Sequence, residues 1–312
     1  MDEVFIITLQ QFGTLLLFIG IGYLLKYFGV LNETKTLSAL LMWVFMPATV
    51  FNVFYKNFTP QNFLSALPYE IAGTAVLLIT LVASYPLVKR YKDRIVRNTY
   101  WYSMVNTNNV YIGLPLVSAI FPKLVLYFMM FILPYQIFIY TVGVNMFKPE
   151  KEKISLKTLF TPTIIAVVLG MICGMVVGAL NVQMPNVISG ILDSSAACMS
   201  PIAMIVMGCT LARTPLKKIF SNWGPYLFTA LRLVVIPAVI GGLTYLMYLW
   251  LVFSIDIVKI TIIYLALPMG LNTVVFAEAN GEDGTIGAQC VFISHVACLG
   301  TLPLVFALVS AL

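Results

Sequence analysis

Charge is what this sequence has least of. Of 312 residues only 10% are charged, while 61% are hydrophobic and the mean hydropathy is +0.97. A soluble domain carries roughly 25% charged residues, so a water-solvated surface is excluded. Histidine is nearly absent. His295 is alone, and its neighbour Ser294 falls on a different helix face, so the two make no nucleophile and base. There is no HExxH, no Walker loop and no glycine-rich phosphate cradle. The five cysteines, Cys173, Cys198, Cys209, Cys290 and Cys298, lie inside apolar segments without a CxxC. A disulfide or zinc framework is therefore not expected, and they read as small packing residues. No cofactor is expected, and an intramembrane enzyme is the weakest reading. Nor is a basic leader present: Asp2 and Glu3 precede the first apolar run, which reads as a first membrane span.

What the chain does have is long apolar runs. A hydrocarbon core of ~30 Å needs about 20 residues of helix. Runs of that length fall near residues 5–28, 36–56, 67–89, 99–120, 124–147, 159–180, 187–211, 223–251, 256–279 and 285–311. The expectation is an all-α integral membrane protein of ten transmembrane helices in the lipid bilayer. Basic residues sort by side. Lys26, Lys35, Lys89, Arg90, Lys92, Arg94, Arg97, Lys148, Lys151, Lys153, Lys157, Arg213, Lys217 and Lys218 fall on one side, against Lys56, Lys123 and Lys259 on the other. The rich side is predicted to be cytoplasmic and both termini extracytoplasmic. The net charge of +6 is thus topogenic and implies no nucleic-acid partner.

The chain repeats. Pro47 answers to Pro201, Thr59-Pro60 to Thr214-Pro215, Pro68-Tyr69 to Pro225-Tyr226, and Tyr111-x-x-x-Pro115 to Tyr264-x-x-x-Pro268, at separations of 154, 155, 157 and 153 residues. The halves run 1–150 and 155–312. Five spans in each turn the second copy upside down, which is the 5+5 inverted-repeat plan of secondary transporters. Helix 6 adds Gly170, Gly174 and Gly178, a stripe for close helix approach.

The polar residues gather where this plan puts a site. Asn106, Asn108 and Asn109 precede Gly113 and Pro115, while Asn272 and Thr273 follow Pro268. Proline lacks an N–H, so breaks are expected at Pro115 and Pro268, with the carbonyls of Tyr111 and Tyr264 freed for a cation, a water or a partner helix. Asn106, Asn109 and Gly113 would share one helical face and Asn108 and Pro115 another. All these amides lie on the cytoplasmic side of the prolines, so an inward-open cavity should reach them first. Asn108 and Asn109 are the leading substrate ligands. Gln136, Asn52, Ser194 and Ser195 are further candidates for its lining, and His295 is expected in an interhelical hydrogen bond. Arg232 is expected to snorkel to the interface ahead of serving as a buried counter-ion. Asp193 and Glu278 are candidate proton or cation sites, with solvation near a helix end the plainer account.

Three motifs resemble a known family. Asn108 with Gly113-Leu114-Pro115-Leu116, Pro268 through Gly281-Glu282-Asp283, and Ser294 with Thr301-Leu302-Pro303 match patterns of the auxin efflux carrier family. The chain resembles a bacterial relative of the plant PIN-formed carriers and of malate and malonate permeases over its whole length. The resemblance implies a fold similar to the bile-acid sodium symporters, with helices 4 and 9 crossing. It implies a scaffold of helices 1, 2, 6 and 7, which also forms a homodimer surface, and a core of helices 3–5 and 8–10. It further implies a small organic anion as substrate and elevator-type movement of the core. A proton or sodium is the candidate coupling ion. The alternative reading is a membrane ligand sensor on the same fold, binding an anion without net transport. The extra amides at Asn106 and Asn109 and the histidine at 295 depart from the family pattern.

Overall fold

The computed structural model describes residues 2–148 and 160–312. Lys151, Lys153 and Lys157, the boundary between the halves at 150–155, and the expected start of the sixth segment at 159 lie outside the described residues.

Among the described residues every regular element is helical, apart from one isolated β-bridge. The helices of eight residues or more are α1 Asp2–Tyr27, α2 Lys35–Asn57, α3 Pro60–Val88, α4 Arg94–Val105, α5 Asn109–Ile120, α6 Pro122–Phe147, α7 Pro162–Leu180, α8 Asn186–Leu211, α9 Trp223–Leu249, α10 Ile255–Ala266, α11 Asn272–Ala279 and α12 Thr285–Ala311. Eight of them are long and apolar enough to cross a membrane. The other two expected segments, 99–120 and 256–279, are each divided in two, as α4 with α5 and α10 with α11.

Local chemistry sets the ends. The side chains of Asp93, Thr161, Asn222 and Ser254 accept backbone N–H groups at the starts of α4, α7, α9 and α10, satisfying donors that the first turn leaves open. Gly29 follows α1 at φ +72 and Asn181 closes α7 at φ 53, both left-handed positions that stop a helix.

Small residues set the packing. On α7, a Cβ at Gly170 would stand 2.9 Å from the Phe51 carbonyl oxygen, and one at Gly174 would stand 2.5 Å from that of Phe58. The glycine stripe therefore brings α7 into backbone contact with α2. Gly22 and Gly208 do the same reciprocally for α1 and α8, where a Cβ would overlap the Ile205 and Ile19 carbonyls. Large apolar side chains such as Leu17, Val82 and Leu308 stand exposed on the outside, as a hydrocarbon solvent permits. Phe128, Phe131, Tyr135 and Tyr264 fill the interior.

Three of the four π-helical turns among the described residues, Leu41–Phe45, Asn109–Gly113 and Leu231–Val235, each end two residues before a proline: Pro47, Pro115 and Pro237. Proline offers no N–H to the carbonyl four residues back, and its ring crowds that carbonyl. A turn widened to five-residue bonding relieves both faults without ending the helix. This changes the expectation for Pro115, which stands inside α5 without ending it, its fault absorbed by the π turn before it. The actual break lies upstream, at Asn106–Asn108.

Candidate functional site

The site is built on two breaks that pair with each other. The chain leaves α4 at Asn106, whose φ of −98 and ψ of 135 are extended. It leaves α10 at Leu267, likewise extended at φ −66 and ψ 148. Thr107 and Met269 then form an antiparallel bridge. The Asn108 N–H donates to the Pro268 carbonyl at 2.8 Å, and the Gly270 N–H to the Asn106 carbonyl at 3.4 Å. Non-helical backbone buried in a membrane protein must find such partners inside the protein. Around the bridge, the Met269 N–H donates to Ser294 Oγ at 3.1 Å and the Tyr264 hydroxyl donates to the Val105 carbonyl at 3.2 Å. That hydroxyl also lies beside the Thr107 and Asn109 side chains, but outside hydrogen-bond geometry with either.

The amides expected to matter converge here, though not on the helical faces expected of them, because Asn106 and Asn108 stand in the non-helical chain between α4 and α5. Asn106 Nδ2 donates to the Tyr102 hydroxyl at 2.9 Å, and its Oδ1 has no partner. Asn108 Nδ2 lies 3.3 Å from His295 Nε2, and His295 Nδ1 lies 2.6 Å from the Val291 carbonyl. A carbonyl only accepts, so Nδ1 carries the proton and Nε2 accepts from the Asn108 amide. The expected interhelical bond of His295 is thus to Asn108. Asn109 Oδ1 accepts from Gln136 Nε2 at 2.9 Å, while its Nδ2 is buried and without a partner. Asn106, Asn108, Asn109, Gln136 and Asn272 line one cavity. Thr273 does not line it; its hydroxyl donates to the Gly270 carbonyl at 2.8 Å and steadies the start of α11.

The cavity is small in this conformation. Its free volume is about 20 Å³, room for one water and not for a carboxylate compound. Asn106, Asn108, Asn109 and Gln136 are all buried. Met46 covers the cavity from α2, its sulfur accepting from the Tyr111 hydroxyl at 3.7 Å. The π turn Leu41–Phe45 directly precedes it.

The remaining candidates sit elsewhere. Arg232 does not snorkel: it is fully buried, with Nη1 donating to the Leu265 carbonyl at 2.7 Å and Nη2 to that of Tyr264 at 3.5 Å. The Tyr264 carbonyl, expected to be free, is thus taken by Arg232 and by the Leu267 N–H at 3.3 Å. Asp193 is exposed, 2.6 Å from both Lys56 Nζ and Asn52 Nδ2, and ties α8 to α2. Glu278 pairs with Arg213 at 3.0 Å, joining the end of α11 to the loop after α8. Neither lines the cavity. Gly113 is a contact residue, since a Cβ there would stand 2.5 Å from Leu267 Cδ1. Sequence reasoning missed Met46 and Tyr102. Met46 meets Tyr111 from a distant helix, which nothing in its local sequence marks, whereas Tyr102 stands one helical turn before its partner Asn106, a spacing that could have found it.

A bundle of apolar helices whose two interrupted members pair around buried amides is the build of a membrane transport protein, and the family model of that description, membrane transport protein, matches residues 8–306. The chain belongs to this family, the auxin efflux carriers. It is also similar to an uncharacterized transporter of Methanothermobacter thermautotrophicus, 25% identical over 301 residues that cover 93% of this chain and 95% of that protein.

Proposed function

We propose that the chain is a secondary transporter that moves a small organic anion by elevator-type alternating access. The observation that carries this reading is the cavity at the paired breaks. The first residues of α5 and α11 both line it. A helix start carries roughly half a positive elementary charge and unpaired N–H groups, which favour an anion. Asn109 Nδ2 is a buried donor without a partner, and an occupant bearing a carboxylate would satisfy it. Substrate would be held by the Asn108 and Asn109 amides, with Asn106, Asn272 and Gln136 as further lining.

In this reading the halves are inverted repeats and the interrupted helices cross at the bridge. Helices α1, α2, α7 and α8 form the scaffold and the homodimer surface, and α3–α6 with α9–α12 form the moving core. Both termini face outward, and a proton or the membrane potential supplies the driving force. Opening the cavity requires the core to withdraw from Met46 on α2, and closing it on the other side completes the cycle.

Asn108→Ala tests the site. The backbone bond from Asn108 to Pro268 survives this change, so the protein should fold while transport of labelled carboxylates into proteoliposomes is lost. Transport at the wild-type rate would refute the assignment. Saturable binding without counterflow in the wild-type protein would favour a sensor instead.

A further inference from the structure

We infer that Arg232 is a tethered cation, occupying the carbonyl end of α10 where a coupling ion such as sodium would otherwise bind. The argument begins with the bonds that α10 gives up at its break. The carbonyls of Tyr264, Leu265 and Ala266 would ordinarily accept from the N–H groups of residues 268, 269 and 270. Residue 268 is proline and has none. The next donor along, the N–H of Met269, goes to Ser294 Oγ at 3.1 Å, and that of Gly270 goes to the Asn106 carbonyl at 3.4 Å. The Tyr264 carbonyl regains a backbone donor in the Leu267 N–H at 3.3 Å, whereas those of Leu265 and Ala266 are left without one.

Two carbonyls without a backbone donor and a third beside them, at a helix C-terminus that carries roughly half a negative charge, form a seat for a monovalent cation. The seat is filled by the protein. Arg232 donates to Leu265 at 2.7 Å and to Tyr264 at 3.5 Å, and Cys298 Sγ reaches the Ala266 carbonyl at 3.7 Å. The guanidinium carbon lies 5.9 Å from the centre of the Tyr264 ring. Among the described residues no carboxylate pairs with Arg232, and its Nε has no partner. A buried charge without a counter-ion is costly, and the carbonyl end of α10 is what balances it here. An arginine stays protonated at any working pH, so this cation is permanent.

The first break is treated differently. The carbonyl at the end of α4, on Val105, receives the neutral hydroxyl of Tyr264. The same tyrosine thus takes the charge of Arg232 on its carbonyl and hands a hydrogen bond to the other break. Arg232 is a positioning residue in this scheme. It touches no cavity atom, but it holds the second break in place and leaves the pair of breaks with a standing positive charge.

The test needs no substrate, so its failure is separable from failure of the transport reading. Thermal unfolding of the detergent-purified protein is compared in sodium, potassium and choline chloride at equal ionic strength. The wild type should unfold at the same temperature in all three. Arg232→Ala should unfold several degrees lower in choline and recover on addition of methylguanidinium, and Arg232→Lys should keep most of the loss from appearing. A saturable stabilisation of the wild type by sodium alone would overturn the inference. So would an Arg232→Ala protein as stable as wild type, or one that methylguanidinium does not restore. Should Arg232→Ala fail to fold, the wild-type comparison and Arg232→Lys still decide.

Discussion

Gly270→Ala asks whether the two breaks must pair for the site to exist. A Cβ at 270 would stand 2.7 Å from Asn106 Nδ2 and 3.1 Å from the Thr107 carbonyl oxygen. Gly270 is not in the left-handed region, so alanine incurs no backbone strain there and gains about 0.4–1 kcal/mol by restricting the unfolded chain. Against this, the Asn106 amide must swing away from the Tyr102 hydroxyl, losing about 0.5–1.5 kcal/mol. The Thr107 carbonyl is backbone held in the bridge, and crowding it costs about 1–3 kcal/mol. The balance is a destabilisation of about 0.5–4 kcal/mol. Gly242 provides the control: it lies inside α9 with nothing within 4 Å of an added Cβ, so alanine there should stabilise by about 0.5–1 kcal/mol. Thermal unfolding in detergent measures the difference, and counterflow in proteoliposomes should show transport lost at Gly270→Ala and kept at Gly242→Ala. Equal unfolding temperatures for the two variants would mean that the breaks do not need close approach at Gly270.

Asp193→Asn should leave transport at the wild-type rate, because its partner Lys56 lies at the far end of α2 from the cavity. Both side chains are about half exposed, so stability should change by less than about 1 kcal/mol; a loss of transport would return Asp193 to the list of coupling sites. The Arg213–Glu278 pair joins the loop after α8 to the end of α11, and in an elevator it must part or travel as the core moves. Arg213→Glu should therefore change the transport rate, and combining it with Glu278→Arg should restore it; a single variant with an unchanged rate would make the pair a surface ornament.

Much of this was legible in the sequence, because hydropathy runs and clusters of amides are local signals. Asn106, Asn108, Asn109, Asn272 and Gln136 do meet at one cavity. The position of the first break was not legible. Pro115 looked like the cause, yet its fault is absorbed by the π turn, and the chain opens at Asn106–Asn108 because Pro268 and Gly270 supply the hydrogen bonds there. Distance along the chain hides such a cause. Arg232 was misread for a similar reason: its depth in α9 permits snorkelling, and only the stripped carbonyls of α10, more than thirty residues on, decide that it turns inward. The place of Met46 beside the cavity comes from the packing of α2 against the breaks, and no residue type announces it.

The π turns before Pro47, Pro115 and Pro237 have a consequence for comparing this chain with its relatives. Each accommodates one residue beyond the α-helical count, and one residue is about 100° of helical rotation. Every side chain after such a turn therefore faces a direction that a uniform 3.6-residue wheel gets wrong. A relative lacking the proline can drop that residue and keep both flanking faces in place, so single-residue gaps in an alignment belong at 41–45, 109–113 and 231–235, inside helices, where gaps are usually forbidden.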